Sequence, residues 1–279
     1  MRSFALLAPL LVAGCVTPGL HQVDDQRLIG LAWPYAQVAY NSYHTGKTKP
    51  ADRAFRLPSG WRIVETQGND DIGLAFDIYK REPTEEYVVV FRGTEGLPTV
   101  RNCDWKHGNL SLHQQERAVG HLRAWMKARD VDAGQMTLVG HSLGGAIAIH
   151  ASYRLGRAGP HVFVFNSSPQ FRRPRADPVG GRAHIDPSLG RRFAFARRGE
   201  FLYLARGPGR EPNQVYLPVT CSPSINPFSR HSMRALAACL TKEAANAGDP
   251  TAAQSLETNA SMLAKDDRDE PFPPCGYIY

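Results

Sequence analysis

Apolar and polar positions along the chain change period several times, and each change predicts an element. Leu28, Leu31, Ala32, Tyr35 and Val38 recur at helical spacing. Pro34 interrupts that run, so the helix is expected to begin near it. Trp61-Arg-Ile-Val-Glu-Thr66 and Gly73-Leu-Ala-Phe-Asp-Ile-Tyr-Lys80 alternate apolar with polar residues and are separated by turn formers, which predicts two strands. Tyr87-Val-Val-Val-Phe91 is continuously apolar, as a central strand covered on both faces must be. From Gln114 to Lys127 an apolar stripe of Val119, Leu122, Trp125 and Met126 predicts a helix. Met136–Val139 reads as a short buried strand, and Gly144–Leu155, small and apolar nearly all round, as a buried helix. Val162–Phe165 and Arg192–Ala196 read as strands, and His231–Ala247 is helical in composition. Strands alternating with helices predict an α/β domain: a mostly parallel central sheet with helices on both faces.

The amino-terminal end follows another pattern. Arg2 is followed by an apolar run from Phe4 to Gly14, too short for a bilayer-spanning helix, which needs roughly twenty residues. It suits the apolar core of a secretory signal. The run ends in Val12-Ala13-Gly14-Cys15, which resembles the bacterial lipoprotein cleavage box: small residues fit the peptidase groove and the cysteine thiol accepts a lipid. The plainer reading is an ordinary cleaved signal followed by a chance cysteine. The resemblance divides the chain into a signal at 1–14, a tether at 15–30 and a single domain at 31–279. It implies membrane attachment through acyl chains on Cys15, without a transmembrane helix. Because Val16 and not Asp follows the cysteine, it also implies a place in the bacterial envelope at the outer membrane.

Composition changes this picture little. The 279 residues are 42% hydrophobic and 21% charged, ordinary for a globular protein, with no visible repeat. Much of the formal charge of +7 lies in the Arg-rich segment from Arg172 to Arg198, which suits an anionic lipid surface or is simply a solvated face. No nucleic-acid motif is present. Beyond Cys15 the cysteines are Cys103, Cys221, Cys239 and Cys275. An exported chain with an even count allows two disulfides in any of three pairings, or four thiols that never pair. A Cys221–Cys239 bridge would span His231. No spacing is zinc-like, so neither a metal nor a cofactor is expected.

The candidate chemistry lies in Gly140-His-Ser-Leu-Gly144. Gly-x-Ser-x-Gly is weak alone, but here a short buried strand ends at Gly140 and a helix of small residues opens at Gly144. A strand-to-helix turn that tight strains the serine backbone and lifts its hydroxyl clear of the sheet, the nucleophile elbow of the α/β-hydrolase fold. Ser142 is therefore the candidate nucleophile. The backbone N–H of Leu143, at the helix N-terminus, is a candidate oxyanion donor.

About fifty residues earlier, Tyr87-Val-Val-Val-Phe-Arg-Gly-Thr94 ends a buried strand and is followed by Glu95-Gly96. Together with Gly-His-Ser-Leu-Gly-Gly, this arrangement resembles the class 3 lipase family from about Gly73 to Leu155, and more weakly to His231. The resemblance implies a serine ester hydrolase in which Thr94 supplies the second oxyanion donor. Arg92 reads as structural. Lipases of that family usually carry an apolar lid after the oxyanion residue. Here Glu95–Asn109 is short and contains Arg101, Asp104, Lys106 and His107, which speaks against interfacial activation on triglyceride droplets.

A hydroxyl needs a base, and the fold orders its triad as serine, acid, histidine. Of the histidines after Ser142, His150 lies on the following helix and His161 begins a strand at the wrong sheet end. His184 sits in the basic loop and remains an alternative, but His231, after the last predicted strand, is the preferred base. Candidate acids are Asp177, Asp186, Glu200 and Glu211. Glu200 follows the Arg192–Ala196 strand directly and is preferred. Asp177-Pro-Val resembles the surroundings of the family's acid but has no strand before it, and the family's usual acid is aspartate. His141 is expected to line the elbow. These residues describe acyl transfer to water, on a lipid or small ester substrate near the tether. The competing readings are a non-catalytic envelope lipoprotein using the fold for binding, and a serine peptidase or thioesterase. The oligomeric state is left open.

Overall fold

Alternation within a single strand decides the architecture. In β3 (Glu86–Phe91), Val88 and Val90 point to one face of the sheet and Val89 and Phe91 to the other, and all four are buried. A strand apolar on both sides needs cover on both sides. The computed structural model, which describes residues 25–45, 54–94, 104–155, 159–170, 192–206, 214–219 and 226–263, supplies it. Val89 and Phe91 share a core with α2 (His113–Arg129) and α3 (Leu143–Arg154); Val88 and Val90 share one with α1 (Asp25–Asn41) and α6 (Met233–Asn246).

The sheet has seven strands in sequential order. β1 (Trp61–Gln67), β2 (Phe76–Arg81) and β3 are antiparallel neighbours; β4 (Met136–His141), β5 (His161–Phe165), β6 (Arg192–Arg197) and β7 (Gln214–Val219) continue parallel to β3. Parallel strands bring their carboxyl ends to one edge, where an open α/β sheet holds its ligands. Thr94, Ser142, Asn166 and Glu200 all follow such ends. Helices on both faces, an antiparallel edge and a nucleophile elbow after a central parallel strand define an α/β-hydrolase fold.

Several elements depart from the sequence pattern. α1 begins at Asp25 and runs through Pro34. The proline removes one hydrogen bond at a cost of about 3 kcal/mol. Burying Leu28, Trp33, Tyr35 and Val38 outweighs that, at about 1.5–3 kcal/mol for each large side chain. The helix therefore crosses the boundary drawn at residue 31, and core structure reaches back into the segment read as tether. Trp33 Nε1 donates to Asp249 Oδ2 at 3.0 Å, and Gln37 Nε2 to Ser255 at 2.9 Å, which fastens α1 to α7 (Pro250–Thr258).

β2 starts three residues later than the alternation suggested, because Asp70 Oδ1 takes the N–H groups of Ile72 and Leu74 into a turn. The sequence pattern did not predict β7, which carries Pro218; at the sheet edge a missing ladder donor is tolerated. The helix predicted over His231–Ala247 is α6, which opens two residues later, at Met233. A one-turn helix, α5 (Pro227–His231), ends at Ser232, whose hydroxyl then caps α6 by accepting from Ala235 N at 3.2 Å. A short helix α4 (Tyr203–Arg206) follows Glu200, and α8 (Ala260–Leu263) closes the described chain.

The signal, Cys15 and residues 16–24 of the tether lie outside the described residues, as do Arg101, Cys103, Asp177, His184, Asp186, Glu211, Cys221 and Cys275. Cys239 rests partly buried on α6 against the core, and any pairing with the other cysteines also lies outside them. No described helix is long and apolar enough to cross a membrane.

Candidate active site

Between β4 and α3 stands one residue, Ser142. Its φ of 54° and ψ of −122° are sparsely populated for a side-chain-bearing residue, so the surroundings must impose them. Ser142 N donates to Phe165 O on the neighbouring strand at 3.1 Å, and Ser142 O accepts from Ser168 N at 2.8 Å. The turn closes because Gly140 and Gly144 lack side chains. A Cβ on Gly140 would run into the Gly144 backbone, and one on Gly144 into Phe91 O. Although Ser142 is the N-cap of α3, its hydroxyl makes no capping bond. Leu143, buried, opens the helix with its N–H at the positive end of the dipole.

Thr94 leaves β3 half-buried, and Asn109 Nδ2 donates to its hydroxyl oxygen at 2.8 Å. Asn109 closes a π-helical turn (Asp104–Asn109) that Gln114 and Gln115 of α2 hold at Asp104 Oδ1 and Gly108 O, at 2.8 and 2.9 Å. Gly108 in that turn sits so close to Leu143 that any side chain would meet it. One turn thus braces both oxyanion candidates.

Past the end of β6, Gly199 turns the chain with φ of 73°, and Glu200 goes inward to 2% exposure. Its Oε2 accepts from His231 Nδ1 at 2.7 Å and from Leu202 N at 3.0 Å. Its Oε1 pairs with Arg206 Nη2, and Arg206 Nη1 reaches Ser167 O at 2.6 Å. With Nδ1 donating to the carboxylate, the neutral imidazole leaves the Nε2 lone pair of His231 free to accept a proton.

The backbone of His231 is held as well. Its carbonyl accepts from His141 Nε2 at 2.8 Å and from Asn166 Nδ2 at 3.4 Å, and the His141 and His231 rings lie 4.7 Å apart. A carbonyl only accepts, so the His141 proton is on Nε2, and the Tyr43 hydroxyl donates to its Nδ1 at 2.8 Å. Asn166 takes a positive φ of 43°, which asparagine tolerates. Its Oδ1 accepts from Arg197 N at 2.9 Å.

These contacts shift three titrations. Burial pushes His141 well below the ordinary histidine value, and the neighbouring His231 adds to the effect, so His141 stays neutral. Burial also lowers His231; the Glu200 carboxylate opposes that shift and the Arg206 charge adds to it. For Glu200, burial favours the neutral acid, but the His231 hydrogen bond and Arg206 overcome it and hold the carboxyl below its usual range. The site thus holds an ionised carboxylate, a neutral imidazole bonded to it and a strained serine, the parts from which an activated hydroxyl is made.

Of the residues singled out in the sequence, Ser142, Leu143, Thr94, His231 and Glu200 line this edge of the sheet. His150 is buried on α3 opposite Glu116 at 3.4 Å, and His161 begins β5 at the far end of its strand. Arg92 is buried and donates to Asn69, in keeping with a structural part. His141 lies at the elbow, but the backbone bond it makes to His231 was not foreseen. Arg206, Tyr43, Asn109 and Asn166 carried no signal in the sequence, since each acts through distant chain. Among the described residues no group of three or more His, Cys, Asp or Glu is placed to hold a metal.

No family model matches the chain, and no curated protein does. Solved structures are similar at low identity. A lipase from Rhizopus microsporus var. chinensis is 15% identical, with 68% of this chain and 75% of that one covered and a TM-score of 0.46. The Lip2 lipase from Yarrowia lipolytica is 14% identical over 69% and 79%, with a TM-score of 0.44. The Rhizomucor miehei lipase propeptide complex is 12% identical over 69% and 68%, with a TM-score of 0.43. The fold is assigned on the topology and the elbow described above.

Proposed function

We propose that the protein hydrolyses carboxylic esters through an acyl-enzyme on Ser142. His231 is the base, Glu200 its acid partner, and the N–H groups of Thr94 and Leu143 are the oxyanion donors. The observation that carries this reading is the 2.7 Å bond between His231 Nδ1 and Glu200, with the His231 ring 4.7 Å from that of His141, the residue before a serine in the elbow conformation. In acylation, His231 Nε2 takes the Ser142 proton as Oγ attacks the ester carbonyl; the imidazolium then gives that proton to the departing alkoxide. Water repeats the sequence on the acyl-enzyme and releases the acid. Glu200 keeps its charge and steadies the imidazolium.

The substrate is a lipid ester, by this reading. Phe201 lies tilted against the His231 ring at 4.3 Å and stacks on Phe228 at 5.4 Å, and the two phenylalanines are 41% and 72% exposed. An apolar rim beside the base suits an acyl chain better than a polar side group. With Cys15 lipidated, the protein would work at the bacterial outer membrane, on phospholipid or other lipid esters near its tether. The short, charged stretch after Thr94 fits an esterase or (lyso)phospholipase without a large lid.

The test is incubation of the purified protein with phospholipid vesicles, triglyceride emulsion, peptide and thioester substrates, and p-nitrophenyl esters of several lengths. Fatty-acid release from phospholipid and the longer esters is expected. Preference for peptide or thioester substrates would move the assignment to those classes, and no turnover of any would leave a binding lipoprotein.

A further inference from the structure

The guanidinium on the proposed acid has no part in the mechanism above. Arg206 is 6% exposed and Glu200 2%. Arg206 lies on α4, six residues past the acid, and its two terminal nitrogens do different work. Nη2 holds Glu200 Oε1, and Nη1 is anchored 2.6 Å from Ser167 O, in the segment just past β5 whose Ser168 N donates to Ser142 O. We propose that Arg206 is the positioning residue of the triad acid. It occupies the carboxylate oxygen that His231 does not use, leaving Oε2 alone to receive the imidazole, and it fixes that oxygen relative to the segment hydrogen-bonded to Ser142 O. The proposal rests on the Ser142–His231–Glu200 reading.

Two physical consequences follow. A carboxylate on a side chain as long as glutamate has more rotamers than aspartate, and a guanidinium fork clamps it in one. The cation also sits near the base. An isolated Glu200 carboxylate would raise the basicity of His231; an Arg–Glu pair presents nearly no net charge and raises it less. The imidazole therefore remains deprotonated to lower pH than it would beside a lone carboxylate. Glu200 and Arg206 are the charged groups that act on the His231 titration. Of the other groups packed about it, His141 is buried and neutral, and the guanidinium groups of Arg197 and Arg230 are turned to Ser229 O and Arg198 O, at 3.2 and 3.0 Å, keeping their charge with or without Arg206. With Arg206 replaced by a neutral residue, both Glu200 and His231 titrate at higher pH, and each change moves the acid limb of kcat/KM upward.

The experiment compares R206Q and R206K with the wild type, using kcat and KM per fluorophosphonate-titrated site across pH 4 to 9. In R206Q, kcat is expected to fall about 10- to 100-fold with KM nearly unchanged, and the acid limb to rise by about one pH unit. R206K keeps the charge without the fork, so the limb stays near its wild-type position while kcat still falls. A merely structural arginine would lower the number of titratable sites without moving the limb of those that remain. An unmoved limb in R206Q, or wild-type kcat in R206K, would overturn the proposal. If R206Q does not fold, the R206K result alone decides. The pH titration of the His231 ring by NMR in S142A and S142A/R206K gives a readout independent of turnover: equal pKa values with a displaced Nδ1 proton resonance are expected, and an unchanged resonance counts against the clamp. A wild type that takes no label at all would remove the hydrolase reading, a separate failure.

Discussion

Ser142 and the His231–Glu200 pair meet at one edge of the sheet but are held there by different kinds of force. The serine is held by backbone. Two glycines allow strand, turn and helix to touch, and hydrogen bonds to Phe165 O and from Ser168 N fix the turn. The base and acid are held by side chains from four separate stretches: Tyr43, His141, Asn166 and Arg206. The first arrangement is local and nearly insensitive to protonation. The second is an assembly of polar and charged groups whose geometry depends on each group keeping its charge or tautomer.

Substitutions on the two sides should therefore fail in different ways. Largest is S142A, expected to lower kcat by about 10⁴- to 10⁶-fold with unchanged folding by circular dichroism. Retention of ester turnover would remove the serine from the mechanism. E200Q comes next: it keeps the volume but replaces the charged acceptor, and kcat should fall about 10²- to 10⁴-fold in a folded protein. Near-normal turnover in E200Q would send the acid's role to Asp177 or Asp186. G144A belongs to the other class of failure. Its methyl group would overlap Phe91 O, so thermal unfolding should report a loss of about 3 kcal/mol or more. A folded, active G144A would mean that the elbow is looser than described here.

This contrast also explains what could be read in advance. The elbow was legible because backbone geometry writes itself into adjacent residues: glycines at fixed offsets, an apolar strand before them and small helical residues after. Strands β3 to β6 and helices α2 and α3 were legible for the same reason. The helix through Pro34 was not, because packing of Leu28, Trp33 and Val38 overrode a local signal. The break at Ser232 was overlooked although serine favours an N-cap over a helix interior, because no Glu or Gln follows at the third position to complete a capping box. Glu200 could be ranked by its place after a strand, but nothing in Gly199-Glu200-Phe201 tells that an arginine six residues later will clamp it. Long-range side-chain contacts of that kind leave no periodic trace.

Two smaller effects sharpen the comparison. Because burial and Arg206 together keep the His231 pKa below the ordinary value, and Glu200 stays ionised lower still, the base remains competent as the pH falls. The acid limb of kcat/KM is therefore expected below about pH 6.5. A limb at or above 7 would show that the carboxylate outweighs burial and the cation. The smallest effect belongs to Y43F. Without the phenol proton on Nδ1, His141 can exchange tautomers and loosen its bond to the His231 carbonyl. A loss of about 1 kcal/mol in stability and a several-fold drop in kcat, with KM unchanged, are expected. An equal rise in KM would place Tyr43 in substrate binding instead.

The central claim is that Ser142 is an activated nucleophile, and its reaction with a fluorophosphonate tests it most directly. Mass spectrometry of the wild type after labelling is predicted to find one adduct, on the peptide containing Ser142, with the labelling rate falling at acid pH as His231 protonates. S142A should take none and E200Q should react slowly. A wild type that stays unlabelled, or an S142A variant labelled as fast as wild type, would contradict the account.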